Sequence, residues 1–176
     1  MLLESEELLV RGDIRLRIPF RDVRAVAAAD GVLRIAWSRG EAELELGDVA
    51  VRWAERIRNP RTLADKLGLK PGLRVGVLDL KEEVLAGFGP PRSETDLIFV
   101  GAEGRADLDR IADLVPLLAP TGGIWIVAPK GRSDPSENDV LAAGRAVGLV
   151  DVKVVKFSET HTAHKFVIPR DRRGSS

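Results

Sequence analysis

The chain has 176 residues, of which 44% are hydrophobic and 31% are charged, a composition typical of a folded globular protein and not of a disordered or membrane-spanning one. Its 27 basic side chains are balanced by 27 acidic ones, so no overall field attracts nucleic acid or an anionic membrane surface. The absence of cysteine excludes disulfides, thiolate metal sites and thiol nucleophiles.

Residues 1–58 show the pattern of a small antiparallel β-meander. Ile14, Leu16 and Ile18 alternate with arginines, as in a strand with one solvent-exposed face. Turn signals at Asp30-Gly31 and Arg39-Gly40 separate two further alternating segments. The sequence therefore predicts three or four antiparallel strands in chain order.

A helix is predicted after these strands. Asp48 is placed to cap its start, and its apolar face, at spacings of three and four, consists of Ala50, Trp53, Ala54 and Ile57. The pattern ends at Asn59-Pro60, because a residue before proline favours an extended backbone. We place the boundary between two structural units there.

From residue 61 onward, apolar strands alternate with helices, as in a parallel sheet covered on both faces. The predicted strands of this part are 73–80, 96–100, 124–128, and a final pair around 152–157 and 166–168. Apolar residues at helical spacing predict helices over 107–118 and 140–147. The fold class is therefore α/β, with an N-terminal antiparallel β-meander and a covering helix, then a small Rossmann-like, mostly parallel sheet with a C-terminal antiparallel hairpin.

Two short motifs and the domain boundaries complete the prediction. Thr62 and Asp65 have the spacing of a capping box, and Gly122-Gly123 is predicted to form a tight turn before a buried strand. The domains are then 1–58, 61–169, and a flexible basic tail over 170–176.

Two stretches of the first unit, IPFRDVRAV and ADGVLRIAW, together with the closing helix, resemble the second half of a bacterial pleckstrin-homology-like domain. The resemblance covers about half of such a domain. A purely structural meander is the alternative, because the arginines of residues 1–58 alternate with acidic residues on exposed strand positions.

The segments LGLKPGLRVGVLDL, TDLIFV, LVPLLAPTGGIWIVAPKG and AAGRAVGLVDVKVVKF resemble consecutive parts of class I S-adenosylmethionine-dependent methyltransferases, over about residues 66–169. They also resemble a group of short bacterial proteins with the same KLG, PG and GLVDVKV pattern. The methyltransferase resemblance implies a glycine-rich loop after the first strand and an acid at the end of a following strand.

Both of these cofactor features are missing from the sequence. Asp79 is followed by Leu-Lys-Glu-Glu, and only the segment 81–94 separates the first strand from the next. The fold is therefore predicted to be a reduced methyltransferase scaffold without a cofactor, to which S-adenosylmethionine binds weakly or not at all.

Ligands of open α/β sheets bind beyond the carboxyl ends of the parallel strands. Residues at or near those ends, which line the predicted ligand cleft, are Asp79, Glu103, Lys130, Glu159 and His161. A Glu-His pair there could exchange protons with a substrate. Joint metal binding by His161 and His164 needs the loop to bend, because residues three apart in a strand face opposite sides; a solvated turn is the alternative, and we predict no metal.

The main functional hypothesis is a noncatalytic or weakly ligand-binding protein, with an unknown small molecule or protein as its partner. The alternatives are an S-adenosylmethionine-dependent methyltransferase with an altered cofactor site, and a regulatory protein-interaction module. We expect a cytoplasmic location, no binding to nucleic acid or membrane, and a homodimer formed through the N-terminal meander.

Overall fold

The computed structural model describes residues 1–4 and 6–174. The chain divides into two compact units, Met1–Thr62 and Leu63–Ser176. The strands are β1 (Leu2–Leu3), β2 (Glu7–Val10), β3 (Leu16–Pro19), β4 (Val23–Ala29), β5 (Val32–Trp37), β6 (Gly40–Glu45), β7 (Val75–Leu78), β8 (Thr95–Gly101), β9 (Leu118–Pro129), β10 (Val150–Lys156) and β11 (His161–Val167). The α-helices are α1 (Ala50–Arg58), α2 (Leu63–Lys66), α3 (Ile111–Leu114) and α4 (Glu137–Ala146). Within the described residues, every helix is too short or too polar to cross a lipid bilayer.

The N-terminal unit contains two antiparallel sheets, β1-β2-β3 and β4-β5-β6, and the helix α1. Two-residue turns join β4 to β5 and β5 to β6. The first is the predicted Asp30-Gly31, whose φ angles are 51° and 75°, whereas the second is Ser38-Arg39, one residue earlier than predicted, because Gly40 pairs with Trp37 as the first residue of β6. Both sheets contribute to one apolar core with α1, whose buried members are Leu8, Ile18, Leu33, Ile35, Ala50, Ala54 and Ile57. The predicted apolar face of the helix thus covers the sheets.

Two details of this unit differ from the prediction. Ile14 lies outside the strands, between β2 and β3, and is 65% exposed. Asp48 does not cap α1, because a 3-10 turn over Gly47–Val49 leads directly into the helix and places Asp48 inside a helical turn. The residue at the N-cap is Val49, which offers no side-chain cap.

The C-terminal unit is built on one five-stranded sheet with the order β10-β11-β9-β8-β7. Strands β7, β8 and β9 are parallel, and β11 is antiparallel to both of its neighbours, β9 and β10. The predicted α/β fold and C-terminal hairpin are therefore confirmed. In this arrangement the carboxyl ends of β7 to β10 and the start of β11 lie at one edge, which we call the carboxyl edge.

Each face of this sheet has its own apolar core. One core centres on Ile124, Ile126 and Phe166. The other contains Trp125, whose ring stacks on Phe99 with centroids 6.3 Å apart and planes 5° from parallel. Strand β9 contributes to both cores and is the middle strand of the sheet.

Two predictions for the middle of the chain are wrong. Gly122 and Gly123 lie within strand β9 and not in a turn before it, and the pairing of β9 with β8 shifts register between Leu118 and Gly123. A Cβ on Gly122 would be 2.9 Å from the Asp96 carbonyl oxygen, so Gly122 allows neighbouring backbones to approach closely. The predicted helix over 107–118 is mostly 3-10, with α3 as its only α-helical part. Pro116 has no amide hydrogen to continue an α-helix.

The connection between β7 and β8 covers the outer edge of the sheet. Its one helical turn is 3-10, over Glu83–Leu85. The Val77 amide donates to the Gly89 carbonyl at 2.9 Å, and a Cβ on Gly76 would collide with Pro91. The returning segment thus occupies the place beside β7 where another strand could pair.

The predicted tail lies only partly within the described residues. Residues Arg170–Arg172 form a 3-10 turn, and the Arg173 guanidinium donates to the Ile168 carbonyl at 2.7 Å. Ser175 and Ser176 lie outside the described residues.

Candidate functional site

The five predicted cleft residues all lie at or just beyond the carboxyl edge. Asp79 follows β7, Glu103 follows β8 after one residue, and Lys130 follows β9. Glu159 lies in the turn between β10 and β11, and His161 is the first residue of β11. The structure joins two of these side chains directly, Glu103 and His161.

The imidazole of His161 and the carboxylate of Glu103 form a short hydrogen bond, with Nε2 2.6 Å from Oε1. The His161 side chain is 24% exposed and that of Glu103 is 62% exposed, so solvent or a ligand reaches the pair. The Asp107 carboxylate holds the start of the loop by accepting from the Glu103 amide at 2.9 Å. Arg132 Nη1 lies 3.9 Å from the second Glu103 oxygen. A carboxylate in this position orients the imidazole.

The other ring nitrogen of His161 contacts a hydroxyl. Thr160 Oγ1 lies 2.7 Å from Nδ1. Because a carboxylate only accepts hydrogen bonds, the neutral ring donates from Nε2 to Glu103 and accepts from the Thr160 hydroxyl at Nδ1. The hydrogen bonds thus connect the Thr160 hydroxyl to the His161 imidazole, and the imidazole to the Glu103 carboxylate.

The turn that presents Thr160 is fixed by backbone contacts. The Lys130 amide donates to the Thr160 carbonyl at 2.9 Å, and the Phe157 amide donates to the His161 carbonyl at 3.1 Å. Ser158 Oγ accepts from the His161 amide at 3.1 Å. These bonds tie the turn to the end of β9 and hold His161 beside Glu103.

The remaining cleft candidates have other environments. The Asp79 carboxylate pairs with Arg110. Glu159 pairs with Lys156 at 2.9 Å and its side chain is 89% exposed. Lys130 lines a small cavity of about 120 Å³ together with Arg132 and His164. The side chains of Asp79, Glu159 and Lys130 therefore do not join the Glu103–His161 pair.

The two histidines do not converge on one site. His164 is 4% exposed, and its Nε2 lies 3.4 Å from Oε1 of Glu137 at the start of α4, whereas His161 contacts Glu103. Residues three apart in a strand face opposite sides, and this separates the rings. In the part of the chain that the structure describes, no group of three or more His, Cys, Asp or Glu side chains is arranged to hold a metal ion.

The turn after β7 forms no glycine-rich cradle for a cofactor. Asp79 has a φ of 56°, and its carbonyl oxygen packs so closely on β8 that a Cβ on Gly101 would collide with it. The backbone at this turn therefore packs against strand β8 of the same unit. An adenosine-containing cofactor needs another place to bind.

An open surface cavity of about 530 Å³ lies next to this turn and is lined mainly by residues of the segment 80–90. Gly87 has a φ of 88°, and neither it nor Gly89 has an atom within 4 Å of the position of a Cβ. Phe88 is 40% exposed, and Glu82 lines the same cavity.

These residues fit an adenosine-type group. Open glycine backbone admits a close ligand, an exposed aromatic ring can stack on a base, and a carboxylate accepts from ribose hydroxyls. The cavity therefore does not support the prediction that the protein has no cofactor.

Several residues of the site were missed in the sequence. Thr160 and Ser158 belong to the polar stretch SETHT, which signals only a turn. Arg132 and Phe88 lie in loops with no motif around them. A glycine on each side of Phe88 was the one available signal for a close backbone approach.

No family model matches the chain, and no curated protein matches it. Similar solved structures include LepI in a complex with SAM (S-adenosylmethionine), with 14% identity and a TM-score of 0.41 over 61% of this chain and 39% of LepI. A LepI variant with SAH and a substrate analogue has 14% identity and a TM-score of 0.40 over the same shares of both chains.

A SAM-dependent O-methyltransferase from Thermotoga maritima has 11% identity and a TM-score of 0.45, over 96% of this chain and 95% of that one. The chain spans about two fifths of the length of LepI, since the match covers 39% of it. At these identities the likeness concerns the fold alone.

Proposed function

We propose that the C-terminal unit is a methyltransferase-type enzyme that acts on a small hydroxyl compound and binds S-adenosylmethionine at an altered site. The observation that carries this proposal is the 2.6 Å bond between Glu103 and His161 at the carboxyl edge. Open α/β sheets bind their ligands at this edge. The methyltransferase-like segments over about residues 66–169 agree with the proposal.

His161 is the base in this proposal. A substrate hydroxyl that displaces the exposed Thr160 hydroxyl from Nδ1 gives its proton to the ring, and Glu103 stabilises the imidazolium that forms. A positioned base of this kind contributes about 10²–10⁴ to a reaction rate.

The altered cofactor site is the cavity around Phe88. The backbone at Gly87 and Gly89 would lie against the adenosine end, Phe88 would stack on the base, and Glu82 would accept from the ribose hydroxyls. Bound there, S-adenosylmethionine supplies an electrophilic methyl group.

Calorimetry of the full chain with S-adenosylmethionine and S-adenosylhomocysteine tests the proposal. We expect binding of both, and a loss of about 10-fold or more in affinity for Phe88→Ala, because base-aromatic stacking contributes about 1–3 kcal/mol. The control is Val154→Ala, which also trims an exposed apolar side chain, 57% accessible and on β10. No binding by the unaltered chain, or equal losses in both variants, would contradict the proposal.

A second candidate function is noncatalytic binding of a different small molecule. The closed turn at Asp79, packed on Gly101 and paired with Arg110, favours it. In that case S-adenosylmethionine fails to bind, and another metabolite raises the melting temperature of the protein without being altered.

A further inference from the structure

The series Thr160, His161, Glu103 has the connectivity of an activated hydroxyl. Thr160 Oγ1 is 2.7 Å from His161 Nδ1, and His161 Nε2 is 2.6 Å from Glu103 Oε1. A nucleophile within hydrogen-bond distance of a base, which a third group orients, is the arrangement that makes serine and threonine hydroxyls reactive. We call this series the Thr160 relay.

The hydroxyl of the Thr160 relay is accessible and its backbone is fixed. Thr160 is exposed, whereas His161 is only partly exposed. The Thr160 carbonyl accepts from the Lys130 amide at 2.9 Å, and Ser158 Oγ lies 3.3 Å from the Thr160 hydroxyl. A hydroxyl on an exposed residue of a held turn can meet a substrate without movement of the base.

We propose that Thr160 is a nucleophile toward activated carboxylic esters and forms an acyl-enzyme. This activity goes beyond the proposed methyl transfer, although both use His161 and Glu103. It needs no cofactor and no occupant of the cavity around Phe88.

The step balances with water as the only co-reactant. Thr160 Oγ bonds to the ester carbonyl carbon while its proton passes to His161 Nδ1, and Glu103 stabilises the imidazolium. The bond from carbon to the leaving oxygen then breaks, and His161 returns the proton to that oxygen. Water later attacks the Thr160 ester, with His161 as the base, and releases the acid and the free hydroxyl.

The probe is p-nitrophenyl acetate, mixed with the full chain under conditions that resolve the first turnover. We expect a burst of p-nitrophenol close to one equivalent of protein, and peptide mass spectrometry should place one acetyl group on Thr160. Thr160→Val should abolish the burst, and Thr160→Ser should retain it. His161→Gln should slow the burst by about 100-fold or more.

The matched control is Thr121→Val, the same substitution at an exposed threonine in β9, toward the end of the strand away from Lys130. It should leave the burst unchanged. A burst that persists in Thr160→Val, an acetyl group on His161 or on a lysine, or no burst in the unaltered chain would overturn the proposal.

Circular dichroism would show whether Thr160→Val folds. If it does not, the position of the acetyl group in the unaltered chain and in Thr160→Ser tests the proposal. Calorimetry with S-adenosylmethionine is a separate measurement on the unaltered chain. If S-adenosylmethionine does not bind but an acetyl ester is mapped to Thr160, only the methyltransferase proposal is contradicted. If S-adenosylmethionine binds but no acetyl ester forms on Thr160, only the proposal for the Thr160 relay is contradicted.

Discussion

The Asp139 carboxylate accepts hydrogen bonds at the start of α4. It accepts from the Ser136 amide at 2.9 Å, while Ser136 Oγ accepts from the Asp139 amide at 3.1 Å, which forms a reciprocal capping box. The Ser136 backbone bond, then the Ser136 hydroxyl, and to a smaller extent Arg105, hold the pKa of Asp139 below its usual value. One carboxylate thus caps α4 and pairs with Arg105 at 3.1 Å, near the loop that contains Glu103.

Asp139→Asn should lower the stability of the protein in a pH-dependent way. Because the pKa of Asp139 is lower in the folded state, its ionised form stabilises the fold above the unfolded pKa of about 4, and this contribution is lost as pH falls through the folded pKa. Urea midpoints should therefore differ between the variant and the unaltered chain near neutral pH, and the difference should shrink as the pH falls below the unfolded pKa of Asp139. The control is Asp109→Asn, at an exposed aspartate; a difference that stays constant with pH would be contrary to expectation.

Strand β9 connects the two cores of the C-terminal unit. Trp125 is fully buried on one of its faces, and its indole Nε1 has no hydrogen-bond partner among the described residues. The Lys165 ammonium lies 5.8 Å from the Trp125 ring centroid. Burial, and then the charge of Lys153, lower the pKa of Lys165. The strand ends at Pro129, so Lys130 is outside the packed region.

Trp125→Ala should cost about 3–5 kcal/mol of folding free energy, because removal of a fully buried indole leaves a cavity that the sheet cannot close. Lys130→Ala should change stability by less than about 0.5 kcal/mol, since its side chain lies at the rim of the fold. Denaturant melts of the two variants provide the comparison. The opposite order would show that β9 and its end are wrongly placed.

The chain as a whole divides into two units with separate cores. The core of Met1–Thr62 involves both small sheets and α1, and that of Leu63–Ser176 lies on the two faces of the five-stranded sheet. A domain of about 60 residues buries a small share of its surface and is marginally stable. Edge strands of such small sheets also need cover.

Residues 1–58 expressed alone should not fold as a stable monomer. The fragment should be largely unfolded or should form a homodimer through its sheets, because its core is small and its strand edges are open. Light scattering gives the oligomeric state, and circular dichroism during heating shows cooperativity. A monomeric fragment that melts cooperatively would refute both the marginal stability and the homodimer.

The correct and wrong local predictions have a common physical basis. The alternation in β5 and β6, the Asp30-Gly31 turn and the apolar run in β9 are properties of neighbouring residues, so they are visible in the sequence. Gly122-Gly123 and the segment 107–118 were assigned wrongly because the outcome there depends on packing and on the backbone of a neighbouring strand. Asp48 failed as a cap because Gly47 begins a helical turn before it.

The α/β class and the position of the carboxyl edge, where we expect a ligand to bind, follow from the sequence, because apolar periodicity identifies the strands and parallel strands align their carboxyl ends. The contact between Glu103 and His161 does not follow from it. These residues are 58 positions apart, and their meeting depends on the pairing of β11 with β9 and of β9 with β8. The contact of Thr160 with Nδ1 and the cavity around Phe88 depend in turn on how loops close on that sheet, which local residue patterns do not encode.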